Sequence, residues 1–209
     1  MKSGHALSVM VLLTCCIGRN AAGADPPTNH PHDMAAMQAM PAADNIPGTS
    51  LYQLDLSFET ADRSAIKLRD LRGTPLIVTM FYSSCTSVCP LLTTQVQHLV
   101  AAIPPAAQQQ IRVLMVSFDS ARDTPEALTT FKAEHHIHEN NWLIARGSAT
   151  DVRTLAAALG IQYRELPDHS FNHSAVVTLL DADGVPRART QNISSVDPNL
   201  LASLTALLH

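Results

Sequence analysis

Two nearly continuous apolar runs dominate the hydrophobic pattern of this chain. Residues 75–82 (PLIVTMFY) and 111–118 (IRVLMVSF) are apolar at successive positions, as expected of strands that are buried on both faces of a sheet. Shorter runs predict strands over 142–145 and 174–180, and period-two alternation predicts another over 51–58. A sheet with such buried strands needs helices to cover its faces.

Helical segments alternate with these strands. The predicted helices cover 88–103, a segment that starts at 123–126, 151–159, and a last segment that starts at 197–198. Pro104 and Pro105 end the first of them, and Gly160 ends the third. This order predicts an α/β domain over residues 49–209, with a central mixed sheet flanked by helices. A short extended piece before the 68–73 turn adds an N-terminal β-hairpin to that sheet.

The first 24 residues have the pattern of a secretory signal peptide. A basic Lys2 precedes an interrupted apolar stretch over 6–17, and the segment ends in Ala-Gly-Ala at Ala24. We expect cleavage after Ala24 and an exported, periplasmic protein that is soluble or loosely anchored. The alternative is that the segment is retained as an anchor or is lipidated at Cys15 or Cys16.

Composition narrows the class of protein. The 209 residues are 46% hydrophobic and 15% charged, which excludes a wholly disordered or collagen-like chain and favours one domain with attachments. The 14 Lys and Arg residues are outnumbered by 18 Asp and Glu, so we expect no nucleic-acid partner. Cleavage at residue 24 removes two basic residues and no acid, which leaves a mildly acidic chain that we expect to be a monomer.

Residues 25–48 predict a flexible tail, because they contain no aromatic residue and no sustained apolar periodicity. The tail nevertheless concentrates imidazole and thioether side chains within eleven residues. They are His30, His32, Met34, Met37 and Met40. This ligand set suits copper, and Cu(I) in particular. The alternative is a helix-prone segment whose histidines are incidental.

Two cysteines remain in the predicted mature chain, at the point where a buried strand ends and a helix begins. Cys85 and Cys89 are four residues apart, and the helix N-terminus favours the thiolate form of the better-placed sulfur. A disulfide there would close only a five-residue ring and stabilise the fold little. A dithiol at this position is the thioredoxin-like arrangement, but the C-x-x-x-C spacing suits a chelating pair as well as a redox pair.

Three sequence blocks in a fixed order resemble the Sco/SenC family of copper proteins for cytochrome oxidase assembly. They are FYSSCTSVCP at 81–90, SFDSARDTP at 117–125 and NHS at 172–174. The resemblance implies a thioredoxin-like fold that binds one copper ion, as Cu(I) or Cu(II), through Cys85, Cys89 and His173. Two positions depart from the family pattern: Thr86-Ser87 replaces a Pro-Asp pair, and Asn172 replaces an Asp.

His169 competes with His173 as the third ligand, since it also lies in a D-H-S sequence. His173 is favoured because an apolar strand follows it and a rigid element positions a ligand better than a loop does. Asp119 and Asp123 follow a buried strand, where they are candidates to orient the histidine as hydrogen-bond acceptors. Helix capping is the plainer role of Asp123.

The remaining histidines of the domain have plainer predicted roles. His135 and His138 are expected on an exposed helix without a thiol nearby, and His98 is expected on the surface of the first helix. None of the three is predicted to bind a metal.

Two functions follow from this site. The first is a metallochaperone, not an enzyme, that delivers copper to a subunit of cytochrome c oxidase at its copper A centre or to another periplasmic copper chaperone. The second is a thiol-disulfide reductase that keeps a partner's cysteines reduced, in which one thiolate attacks and the other resolves the mixed disulfide. Cys85 is the more accessible candidate for attack. Contact with a membrane is expected only through an uncleaved signal or a membrane-bound partner.

Overall fold

Residues 47–209, which are the residues that the computed structural model describes, form nine strands and five α-helices. The strands are β1 (Ser57–Thr60), β2 (Ala65–Lys67), β3 (Leu76–Phe81), β4 (Arg112–Ser117), β5 (Trp142–Gly147), β6 (Tyr163–Glu165), β7 (Phe171–His173), β8 (Val177–Leu180) and β9 (Pro186–Thr190). The helices are α1 (Val88–Ala101), α2 (Pro105–Gln108), α3 (Pro125–Glu134), α4 (Ala149–Leu159) and α5 (Pro198–Ala206).

Seven strands form one mixed sheet in the order β2-β1-β5-β4-β3-β8-β9. The central strands β5, β4 and β3 are parallel, and the strands on both sides of them pair antiparallel. This arrangement confirms the predicted α/β fold with a central mixed sheet. The hairpin of β1 and β2 forms one edge of the sheet, as predicted. Strands β6 and β7 pair only with each other and form a separate two-stranded sheet.

The two long apolar runs became the centre of the sheet. Every residue of β3 is buried, and so are five of the six residues of β4. The two strands pair in parallel from Leu76 opposite Arg112 to Phe81 opposite Ser117. Since parallel strands end at the same edge, the segments after Phe81 and Ser117 leave the sheet side by side. This edge positions the candidate site.

Two predicted strands differ from the structure. Residues 51–53 form a 3₁₀ turn instead of the start of a strand, because Leu51 and Tyr52 are both buried and alternation cannot bury neighbours. The N–H of Leu51 donates to the carbonyl oxygen of Gly184 at 2.9 Å, which holds this turn against the 181–184 turn. The strand predicted over 174–180 begins only at Val177, and the hairpin of β6 and β7 was not predicted.

The predicted signal peptide, residues 25–46 of the predicted tail and the five tail ligands lie outside the described residues. None of the helices between residues 47 and 209 combines the length and apolar character that a membrane span requires.

Candidate metal centre

The two cysteines lie at the junction between β3 and α1. Cys85 belongs to the connecting segment, and its N–H donates to the carbonyl oxygen of Tyr82 at 3.3 Å. Cys89 lies in the first turn of α1, and its N–H donates to the Cys85 sulfur at 3.3 Å. Both side chains are buried and neither forms a disulfide. A free N–H of the helix N-terminus therefore stabilises negative charge on Cys85.

Asp123 supports this cysteine segment from behind. Its carboxylate accepts hydrogen bonds from the N–H of Ser83, at 2.9 Å, and from the hydroxyl groups of Ser83 and Ser117. The helix cap of α3 is Thr124, whose hydroxyl accepts from the N–H of Ala127. Both predicted roles of Asp123 are therefore wrong: its carboxylate holds the segment that precedes Cys85, where two hydroxyl groups and one backbone N–H donate to it.

His173 reaches the cysteines from the other side, at the end of β7. Its Nε2 lies 3.8 Å from the Cys89 sulfur, and its Nδ1 lies 3.3 Å from the carbonyl oxygen of Ser174. A proton on Nδ1 would be donated to that carbonyl, which leaves the Nε2 lone pair directed at the thiols. The imidazole packs against two aromatic rings, with centroid distances of 4.8 Å to Phe118 and 5.9 Å to Tyr82.

The three side chains form a group that fits a metal ion. The sulfur atoms of Cys85 and Cys89 and a ring nitrogen of His173 all lie within 4.8 Å of one another. Metal–ligand bonds of about 2.0–2.3 Å place the donor atoms of a three-coordinate site about 3.5–4 Å apart. In the described part of the chain this is the one group of three such side chains. Two thiolates and one imidazole suit Cu(I), whereas structural Zn²⁺ usually takes four protein ligands.

The two thiols differ in acidity. Burial raises the pKa of the Cys85 thiol, but hydrogen bonds from the N–H groups of Cys89 and Ser87 outweigh it and leave this pKa below its ordinary value. Burial also raises the pKa of the Cys89 thiol, and the neighbouring Cys85 sulfur adds to the increase. Burial lowers the pKa of the His173 imidazole. At neutral pH the histidine is therefore neutral, which is the form that binds metals.

The competing histidine lies apart from the thiols. His169 is exposed and adopts a left-handed conformation in the turn between β6 and β7, where its Nδ1 lies 2.8 Å from a carboxylate oxygen of Glu165. The structure thus groups His173, and not His169, with the cysteines.

Three other histidines are also placed away from the thiols. His98 is exposed on α1, as predicted, but His135 and His138 do not lie on a helix, because α3 ends at Glu134. His135 is instead half-buried, with its ring centroid 4.3 Å from that of Phe131, and burial lowers its pKa.

Arg122 contributes to the surroundings of the site and was not predicted from the sequence. Its Nε lies 2.5 Å from a carboxylate oxygen of Asp119, and its Nη1 lies 3.0 Å from a carboxylate oxygen of Glu165 on β6. Asp119, which was expected to orient the histidine, has Arg122 as its ion-pair partner instead. An acid three residues before an arginine in the S-x-D-x-x-R-D-T-P block was the available signal for this pair.

The fold and the site define the class: a thioredoxin-like α/β protein with a dithiol and an imidazole at the edge of its central sheet. The family model SCO1/SenC matches residues 48–208, and the chain belongs to this family. A Stutzerimonas stutzeri protein to which copper binding is provisionally ascribed is 25% identical over 157 residues, which cover 73% of this chain and 72% of that protein.

Two solved structures of the family have the same fold. Bradyrhizobium japonicum ScoI with copper bound superposes with a TM-score of 0.63 and 18% identity, and the match covers 73% of this chain and 96% of that chain. BsSco, described as a member of the Sco family of cytochrome c oxidase assembly proteins with a disulfide switch, superposes with a TM-score of 0.62 and 20% identity. That match covers 73% of this chain and 90% of the BsSco chain.

Proposed function

We propose that this protein is a periplasmic copper metallochaperone that holds one copper ion through Cys85, Cys89 and His173. The observation that carries the proposal is the convergence of two thiols and one imidazole within 4.8 Å. Copper binding ascribed to the Stutzerimonas relative, and the copper in the Bradyrhizobium structure, support the choice of metal. The recipient would be a cuproenzyme such as cytochrome c oxidase, at its copper A centre, in keeping with the description of BsSco.

The site can supply what such a carrier needs. Cys85 is the more acidic thiol and loses its proton more readily, whereas the metal would displace the proton of Cys89 on binding. Neutral His173 offers its Nε2 without a competing proton. Three-coordinate Cu(I) leaves room for an incoming ligand, which allows transfer by ligand exchange.

The decisive experiment is an anaerobic Cu(I) titration of the reduced full-length chain against a competing chelator. The five tail ligands at positions 30, 32, 34, 37 and 40 are replaced by Ala, so that only the domain contributes. We expect one tightly bound equivalent of Cu(I). Changing a residue that supports a ligand lowers metal affinity by about 10–100-fold, so His173→Ala, which removes a ligand itself, should lower the Cu(I) affinity by at least that much. His169→Ala is the matched control and should leave the affinity unchanged. An affinity that is indifferent to His173 would overturn the proposal.

The same titration with the tail intact tests the tail. We propose that it adds a second, weaker copper site, so additional bound copper is expected only in the unsubstituted chain. Export is tested separately: the periplasmic fraction should contain a chain that begins at Asp25, as determined by mass spectrometry.

The difference in thiol acidity favours a second candidate, a thiol-disulfide reductase. In that reaction the Cys85 thiolate attacks a partner disulfide, Cys89 displaces the partner's second thiol, and the chain is left with a Cys85–Cys89 disulfide as the partner gains two thiols. Loss of disulfide reduction in Cys85→Ser, with full activity in His173→Ala, would favour this function. A dithiol that reduces no protein disulfide would exclude it.

A further inference from the structure

We propose that Arg122 and Asp123, two adjacent residues in the loop over 118–124, are positioning residues that hold the two halves of the metal centre in register. Arg122 holds the hairpin that carries His173, and Asp123 holds the segment that carries Cys85. This inference rests on the proposed copper-binding function and adds residues that contact no metal ligand themselves.

Arg122 contacts each part of the β6–β7 hairpin. Its Nη1 pairs with Glu165 on β6, and its Nη2 donates to the carbonyl oxygen of His169 in the turn at 2.9 Å. Its guanidinium carbon lies 5.7 Å from the ring centroid of Phe171 on β7. One side chain thus touches both strands and the turn of the element that ends in His173.

The guanidinium is itself fixed from below. Asp119, which is only 3% exposed, accepts from the Nε of Arg122 and also from its backbone N–H. An exposed ion pair contributes little to stability, but here one partner is buried and the arginine makes several contacts at once. Its main effect is therefore on the position of the hairpin.

Asp123 performs the matching task for the cysteines. It is 1% exposed, and its bonds to the N–H and hydroxyl of Ser83 hold the chain two residues before Cys85. The Ser117 hydroxyl donates to Asp123 and accepts from the N–H of Asp119 at 2.9 Å. Through Ser117 the supports of the two halves form one hydrogen-bonded unit.

The β6–β7 hairpin needs such a support because it is not part of the seven-stranded sheet. Each of its strands has three residues, so the ladder within it is short. Apolar contacts of Phe118 with Tyr163 and Phe171, at 5.2 and 5.4 Å between centroids, hold one side of it. Arg122 adds the directional contacts that these rings cannot supply.

The test is a double-mutant cycle on Cu(I) affinity in the full-length chain with its tail ligands replaced. Arg122→Met should weaken binding by about tenfold, within the 10–100-fold range of changes behind a metal ligand. If Arg122 acts through the imidazole, the same substitution should cause no further loss in a His173→Ala background. Asp123→Asn, which acts through the cysteines, should weaken binding in both backgrounds.

X-ray absorption of the Cu(I)-loaded variants supplies a readout that general destabilisation would not produce. Arg122→Met should keep two sulfur neighbours and lose the nitrogen neighbour, and Arg122→Lys should restore part of it. Since Arg122→Met leaves the Asp119 carboxylate unpaired, the double variant Asp119→Asn with Arg122→Met removes both charges and should give the same spectrum. Arg69→Met, which changes an exposed arginine between β2 and β3 that pairs with Asp55, is the charge-matched control and should change nothing.

Two results would overturn the inference. One is an Arg122→Met variant that retains the nitrogen neighbour and parental affinity, while the parent binds Cu(I) tightly. The other is an equal loss of affinity with and without His173, which would show an effect on the fold. A parent without a tight Cu(I) site would instead overturn the proposed function, and this inference with it.

Discussion

The two halves of the metal centre rest on very different supports. The cysteines follow β3, whose six residues are all buried, and the first turn of α1 packs Cys89 into the same core. The histidine ends a two-stranded hairpin that lies outside the main sheet and is only partly buried. The thiols are therefore placed by the fold itself, whereas the imidazole is placed by a few side chains.

Because of this difference, the stability of the fold and the presence of all three ligands at the site can be changed separately. A change that loosens the hairpin leaves the sheet and the dithiol in place, because no ladder joins β7 to β8. A change beneath the cysteines disturbs the core as well. The proposed carrier function would gain from this division, since one ligand could be displaced without unfolding the chain.

The largest effect is expected from the aromatic contact under the hairpin. Phe118 is buried and packs on His173, Tyr82, Tyr163 and Phe171. Phe118→Ala should lower the free energy of unfolding by about 3–5 kcal/mol, the usual cost of a large aromatic truncation. It should also remove the nitrogen neighbour from bound Cu(I), because the imidazole of His173 loses its packing contact with the Phe118 ring.

Phe131→Ala is the control for that comparison. Phe131 is also buried but packs on Phe81 and His135, away from the hairpin. Chemical denaturation should show a similar loss of stability, and X-ray absorption should show an unchanged copper environment. If both variants lost the nitrogen neighbour, the two halves would not be separable.

A smaller effect is expected within the cysteine half. Cys85 is the more acidic and less deeply buried thiol, so iodoacetamide should modify it faster than Cys89 by at least about tenfold at neutral pH. The modification rate of Cys85 should rise with pH to a plateau, and the midpoint of the rise should lie below 9.0, the ordinary pKa of a cysteine thiol. Peptide mapping by mass spectrometry measures both rates.

The same labelling in denaturant is the control, because unfolding should abolish the difference between the two thiols. Equal rates in the native protein would contradict the assigned asymmetry. Faster modification of Cys89 would reverse the roles of the two cysteines in the reductase alternative.

The smallest effect is the pH dependence of the histidine half. Burial lowers the pKa of His173 below 6.5, so protonation costs more in the folded than in the unfolded state. The contribution to stability is therefore complete above pH 6.5 and declines as the pH falls towards the folded value. Denaturant unfolding at pH 7.5 and 5.5 should show a steeper decline for the parent than for His173→Gln. Identical declines would mean that the imidazole is solvated.

Much of the fold was predictable from the sequence, because burial on both faces of β3 and β4 leaves a continuous apolar run that nothing else explains. The strand predicted over 51–58 is wrong at its start, because a 3₁₀ turn buries adjacent Leu51 and Tyr52, and only its last two residues belong to β1. The β6–β7 hairpin was missed because three-residue strands with polar positions carry too little periodic signal.

The candidate site was only partly predictable. The spacing of Cys85 and Cys89 at a strand–helix junction predicts the dithiol directly. The choice of His173 was argued from the strand that follows it, but β7, the strand that ends at His173, is what positions it. The roles of Arg122 and Asp123 depend on long-range contacts with β6 and with Ser83, which a single sequence does not reveal.

Exposure of the three candidate ligands decreases in steps. His173 is half-buried, Cys85 is 7% exposed, and Cys89 is 0% exposed. Any group that arrives from solvent therefore meets the imidazole and Cys85 before it meets Cys89. In the proposed function, a recipient protein would therefore exchange the copper ion from the side of His173 and Cys85, and Cys89 would be the last ligand to release it.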